Sequence, residues 1–214
     1  MLSLGTQSAI LALRMSTAGL SHRGVAVRTA LIDAAAELLL ERGARMTLDD
    51  VAARAKVGRR TIFRYFATKD ELIAAAIGLA VRTHGEGLPA RDDRSVDAWL
   101  TDIANRTHEH NLRIAPAYLE LILRQSEIPS IDAFLERPGR RRRHQAMEAL
   151  ATEVWLARGG EGPAPQAIAD LFTLHLSVFA SEALRFHLLA DIDRMTQLTV
   201  DTLLTTIDAR IGVS

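Results

Sequence analysis

The sequence predicts an all-α protein built from two helical units. Three observations carry this expectation. Apolar residues recur at helical spacing along most of the chain, alternating β-branched runs bounded by hairpin turns are nearly absent, and one polar, Gly/Pro-punctuated stretch separates short helices from long ones. The chain has 214 residues, of which 48% are hydrophobic and 24% charged, enough to bury a sizeable core in an ordinary globular composition.

Residues 1–22 offer little periodicity and read as a disordered N-terminal extension. The apolar stretch before Arg14 lacks the basic start of a signal peptide. Leu31, Ala34, Ala35, Leu38 and Leu39 then share one helical face, and Gly43 follows as a stop signal. Thr47, Leu48, Asp49 and Asp50 form an acidic variant of the capping box, opening a short helix over 47–57 with Val51, Ala52 and Ala55 on one side. Lys56, Val57 and Gly58 make a tight turn into a second short helix over 58–66. Thr68 and Glu71 form a capping box that starts a fourth helix, through about Val81. The stretch from His84 to Ser95 is aperiodic and marks a boundary between a unit at 23–83 and one at 95–214. Longer helices are expected beyond it at about 95–113, 116–127, 140–158, 165–190 and 191–211, broken at Pro116, Pro129, Pro138 and the Gly159–Pro163 segment.

Two short helices joined by a tight turn are the helix-turn-helix arrangement. On a helical wheel Ile62 and Phe66 fall together toward the core, while Arg60 and Arg64 fall opposite, flanked by Thr61 and Phe63, with Arg59 at the first turn. Arginine can donate two hydrogen bonds to guanine O6 and N7, and an apolar edge can meet a thymine methyl, which suits that outer face to the major groove. Lys+Arg and Asp+Glu balance at 26 each, yet Arg54, Lys56, Arg59, Arg60, Arg64 and Lys69 lie within sixteen positions that hold no acid. That concentration is an electrostatic footprint for phosphate. Arg23 and Arg28, just beyond the extension, are placed to reach phosphate or the minor groove.

These residues resemble the tetracycline-repressor (TetR) family of transcriptional regulators over about 25–80. The resemblance rests on Ala34–Leu39, Gly43, Thr47–Ala53, Ala55–Val57, Ile62–Phe66, Lys69 and Glu71–Leu72. It implies an N-terminal three-helix DNA-binding domain and a C-terminal helical ligand-binding and dimerisation domain. It also implies that Arg59, Arg60, Thr61, Phe63, Arg64 and Tyr65 face double-stranded DNA, while Thr47 and Lys69 meet phosphates. The chain departs from the family at Phe63, commonly Tyr, at Tyr65, commonly His, and at Gly58, where Ser often caps the helix. A cytoplasmic homodimer on a palindromic operator follows from the same resemblance, paired through about 165–211.

The second unit supports that assembly independently. The 165–190 segment is apolar nearly all round, with Ile168, Leu171, Phe172, Leu174, Leu176, Val178, Phe179, Leu184, Phe186, Leu188 and Leu189, so it must be covered on both sides. A small apolar effector is expected among Trp99, Ile103, His108, Tyr118, Leu121, Ile122, Phe172, His175 and Phe179, an apolar set with a few polar groups; a regulator of the same fold without an inducer is the alternative. No cofactor or metal is expected. There is no cysteine, and His108 and His110, two apart on a helix, point about 200° apart. The run Arg140–Arg143 opens a helix, where cations oppose the dipole, so a fraying end or an acidic partner is expected. No apolar run reaches the roughly 18 residues of a membrane span, and no nucleophile motif, phosphate-cradling loop or paired carboxylate supports an enzyme.

Overall fold

The computed structural model describes residues 21–123 and 138–212, so the extension before Ser21 and the break at Pro129 lie outside the described residues. Among the described residues every regular element is helical.

Helix α1 (His22–Arg42) begins one residue inside the expected extension, because the Ser21 hydroxyl accepts from Gly24 N at 3.3 Å and caps it. It ends at Gly43, whose φ of 59° is costly for any side chain with a Cβ. A 3-10 turn (Gly43–Arg45) leads to α2 (Leu48–Arg54), α3 (Arg59–Tyr65) and α4 (Lys69–Glu86). The acidic capping box at α2 is complete: Asp50 N donates to Thr47 Oγ1 at 3.1 Å, and Thr47 N donates back to Asp50 Oδ2 at 3.0 Å. Helix α4 continues past the expected end near Val81, because Leu79 and Val81 still pack on the core and its last turn gains a partner in α5 through stacked His84 and His110 rings.

Helix α5 (Val96–Leu123) corrects the expected break at Pro116: the chain runs through it as one helix. Proline inside a helix costs about 3 kcal/mol through its lost N–H and ring clash. Pro116 itself faces solvent, while Ile114, Ala115, Ala117 and Leu121 around it are buried. Two fully buried large aliphatic side chains contribute about 1.5–3 kcal/mol each, enough to offset the proline.

After α6 (Pro138–Ala157), the expected 165–190 helix is two helices, α7 (Gln166–His175) and α8 (Val178–His187), bent by 58°, and α9 (Ile192–Gly212) closes the chain. Ser177 explains the break. Its hydroxyl accepts from Ala180 N at 3.0 Å, which replaces the bond that N–H would give to Leu176 O in a continuous helix. The released Leu176 carbonyl is taken by Asn111 Nδ2 at 3.1 Å and by Arg143 Nη2 at 2.8 Å. Arg143, from the run expected to fray or find an acid, therefore binds a backbone carbonyl instead.

Two cores result. The first joins α1–α4 to Ile114, Ala115, Ala117 and Leu121 of α5 and Val178 of α8. The second joins Val96, Trp99, Leu100 and Ile103 of α5 to α6, α7 and α9. Helix α5 thus runs through both, and among the described residues no single helix is long and apolar enough to cross a membrane.

Candidate nucleic-acid interface

The turn between α2 and α3 sets how α3 is presented. Val57 N donates to Ala52 O at 2.9 Å and Lys56 N to Ala53 O at 3.2 Å, the paired bonds of a Schellman ending, with Lys56 at φ 54°. Gly58 caps α3 with no side-chain bond. Ile62 and Phe66 are buried in the first core, and Thr61 and Tyr65 are half-buried beside them. The opposite face carries Arg59, Arg60 and Arg64, all exposed, with Phe63 49% exposed between them. A single half-exposed ring is ordinary by itself, and the distinctive feature of this face is the three exposed guanidinium groups around it.

The six cations read from the sequence do not act alike. Arg54 is turned back toward α1, where it meets Glu37 at 2.9 Å and Glu41 at 2.8 Å, so its charge is spent within the protein. Arg59 meets Asp49 at 3.1 Å. Lys56, Arg60, Arg64 and Lys69 show no ion pair among the described residues, and Arg64 lies 5.8 Å from the Tyr65 ring. Thr47 Oγ1 donates to Asp50 Oδ2 at 2.7 Å, and Arg42 holds the other oxygen of that carboxylate at 2.9 Å. The Thr47 bonds, with Arg42 beside them, keep the Asp50 carboxyl below the ordinary carboxylate range. Arg28 is a correction: it does not reach outward but is buried, its guanidinium 5.0 Å from the Phe66 ring centre, where it braces the end of α3. Sequence reasoning missed Glu37, Glu41 and Asp49 because only the packing of α1 and α3 on α2 brings them to the arginines.

Residues 31–76 match the family described as bacterial regulatory proteins, tetR family. The chain carries a tetR-family domain. Its 52-residue match to the HTH-type transcriptional repressor Rv3405c of Mycobacterium tuberculosis is 44% identical and covers 24% of this chain and 28% of that protein. The HTH-type transcriptional regulator Mb3439c of Mycobacterium bovis matches to the same extent, so the likeness to these relatives spans little more than a quarter of their length. The fold likeness is wider. A putative transcriptional regulator from Rhodococcus sp. RHA1 superposes with a TM-score of 0.59 at 16% identity, over 85% of this chain and 95% of that one. A second transcriptional regulator from the same organism gives 0.54 at 18%, over 85% and 97%. The tetR-family domain thus sits in a fold shared with these proteins over most of the chain.

Five of the nine candidate effector residues are divided between the cores, and four lie in neither. Trp99, Ile103 and Phe172 are buried in the second. Leu121 and the half-buried Tyr118 belong to the first, and Ile122 and His175 are half-buried. Phe179 is 50% exposed, edge-on to Tyr118 with ring centres 5.8 Å apart. His108 is fully enclosed in a polar network that ties α5 to α8 and α9, with Nδ1 2.9 Å from Ser181 Oγ and Nε2 2.9 Å from Thr199 Oγ1. Ser181 spends its one proton on Ser177 O at 3.0 Å, so His108 Nδ1–H must be the donor there and Nε2 accepts from Thr199. Asn111 Nδ2 donates to the same Ser181 oxygen at 3.0 Å. This neutral ring is full on both sides, and burial first, with His175 nearby, pushes its pKa down to about 4. Among the described residues no group of three or more His, Asp or Glu side chains converges to hold a metal.

Proposed function

We propose that the protein is a DNA-binding transcriptional regulator that works as a cytoplasmic homodimer on a palindromic operator. The observation that carries the reading is the outer face of α3, where Arg60 and Arg64, beside the exposed Phe63, show no ion pair among the described residues on a tetR-family scaffold. In this reading α3 lies in the major groove, with Arg59, Arg60, Thr61, Phe63, Arg64 and Tyr65 toward the bases, and Thr47 and Lys69 against phosphates. Pairing of two chains through 165–211 is supported by the apolar side chains left in water on α7, α8 and the segment after them. Phe186 is 70% and Leu189 87% exposed, with Leu174, Phe179 and Leu188 also open. Enzymatic activity forms no part of the reading.

The regulator acts as a repressor that releases its operator when a small apolar molecule occupies the second unit. Release requires that the ligand bind the DNA-incompetent conformation more tightly, since equal affinity for both shifts nothing. A second reading, a regulator of the same fold without an inducer, is favoured by the placing of five of the nine candidate residues in two separate packed cores. A thermal-shift screen of apolar small molecules, followed by gel shifts with each hit, separates them. Hits that raise the melting temperature and release the operator support induction. Hits that leave operator affinity unchanged support the second reading.

A further inference from the structure

We propose that the cleft between the end of α4 and the middle of α5 binds a small molecule bearing a carboxylate or a phosphate. The cleft measures about 220 Å³ and is lined by His84, Gly87, Arg106, Glu109, His110 and Arg113. That volume is several times the roughly 30 Å³ share of one water, room for a compact organic anion. None of the residues expected to meet DNA or an apolar effector lines it.

Arg106 and Arg113 sit seven positions apart on one face of α5, so both guanidinium groups border the same opening. Arg106 commits Nε to Asp102 at 2.6 Å, which leaves its terminal nitrogens as donors. Arg113 is 60% exposed, and its nearest carboxylate, Glu109, is 3.9 Å away, beyond hydrogen-bond length. Behind them the His84 and His110 rings stack with centres 4.3 Å apart and planes within 9°. His84 Nε2 has Thr107 Oγ1 at 3.2 Å, whereas His110 Nε2 is enclosed with no hydrogen-bond partner among the described residues.

The electrostatics point the same way. Burial, then Arg106 and Arg143, hold His84 below the usual imidazole range. Burial, then His84, Arg113 and Arg143, push His110 down to about 3. Three arginines from α5 and α6 therefore direct a positive field onto the cleft, opposed by Glu109 in its lining and by Asp102 on Arg106. An exposed arginine is ordinarily just solvated. Here two guanidinium forks and the two stacked imidazole rings line one cleft, and an oxyanion between the forks would take donors from both. The position joins the helix that leaves the DNA-facing unit to the helix shared by both cores. The inference does not depend on the DNA reading, because binding is measured on the free protein.

The test follows the histidine Cε1–H signals of the full chain by NMR at pH 7.5, assigned with His84→Gln and His110→Gln. Inorganic phosphate and succinate are titrated in separate arms against sodium chloride of equal ionic strength. The proposal predicts saturable shifts of both signals in at least one oxyanion arm, with the tighter arm naming the anion class, and none with chloride. Arg113→Gln, at an exposed position, should weaken that binding at least tenfold with an unchanged circular-dichroism melt, and Arg106→Gln should do the same independently. Shifts no larger than those with chloride, or unchanged binding in both arginine variants, would overturn the proposal.

Discussion

In the proposed reading Arg60 and Lys69 make the two kinds of contact a DNA reader needs, and their substitutions should fail differently. Arg60 stands on the outer face of α3 with no internal ion partner among the described residues, so Arg60→Ala should cost roughly 1–3 kcal/mol on the operator and relax preference at one position of each half-site. Lys69 opens α4, where a phosphate would meet both its charge and the helix N-terminus. Lys69→Ala should weaken binding to all sequences and lower the salt slope by about one unit per half-site. Fluorescence anisotropy at several salt concentrations reads both effects, and unchanged affinity in both variants would remove α3 from the interface. His108 gives a prediction about stability instead. Its folded pKa is depressed to about 4, so its contribution is complete above the unfolded value near 6.5 and is lost as pH falls from there toward 4. The loss should be about 3 kcal/mol, from the difference between those two values. Urea unfolding at pH 7.5 and 4.5 should show His108→Gln losing that share of acid sensitivity, with His110 leaving a residual slope. An identical pH dependence in the variant would contradict the network described around His108.

The α2–turn–α3 element was the most legible part of the chain, because its signals are local. Thr47 and Asp50 cap α2 reciprocally, Thr68 caps α4 just beyond the element, and the spacing of Ile62 and Phe66 sets which face of α3 is buried. The turn nevertheless carries a strained residue. Lys56 sits in the left-handed region, where a side chain with a Cβ costs about 1 kcal/mol. Lys56→Gly should therefore raise stability by up to about 1 kcal/mol, less the added freedom of the unfolded chain, and thermal unfolding measures it. A destabilised variant would mean that the lysine side chain is held by packing. The longer helices were less legible for a related reason. Pro116 is a strong local stop signal, but burial of the residues around it outweighs the signal. Ser177 is a weak one, yet it breaks the helix because Asn111 and Arg143, 65 and 33 positions from Leu176, donate to the carbonyl it frees there. Breaks decided by distant partners are not written in the segment that breaks.

For the molecule as a whole, the two-unit division read from the Gly/Pro-rich stretch at 84–95 is a statement about the chain rather than about its cores. Helix α5 contributes Ile114 and Leu121 to the first core and Trp99 and Ile103 to the second, so a shift of α5 is felt by both. The apolar excess expected over 165–211 is also unevenly placed. Met195, Leu203, Leu204 and Ile207 of α9 are already buried within the chain, while Phe186 and Leu189 at the end of α8 are not. For two chains paired as proposed, the double variant Phe186→Glu with Leu189→Glu should halve the mass seen by light scattering at micromolar concentration, and an unchanged mass would remove this patch from the pairing. The central claim is that α3, presented twice, reads a symmetric DNA sequence. Selection of bound duplexes from a random library by the full chain, followed by sequencing, tests it most directly. The account predicts enrichment of a two-fold symmetric site with half-sites about 34–36 Å apart or somewhat more, lost in the Arg60→Ala, Arg64→Ala double variant. Absence of enrichment, or the same enriched site with both arginines removed, would contradict it.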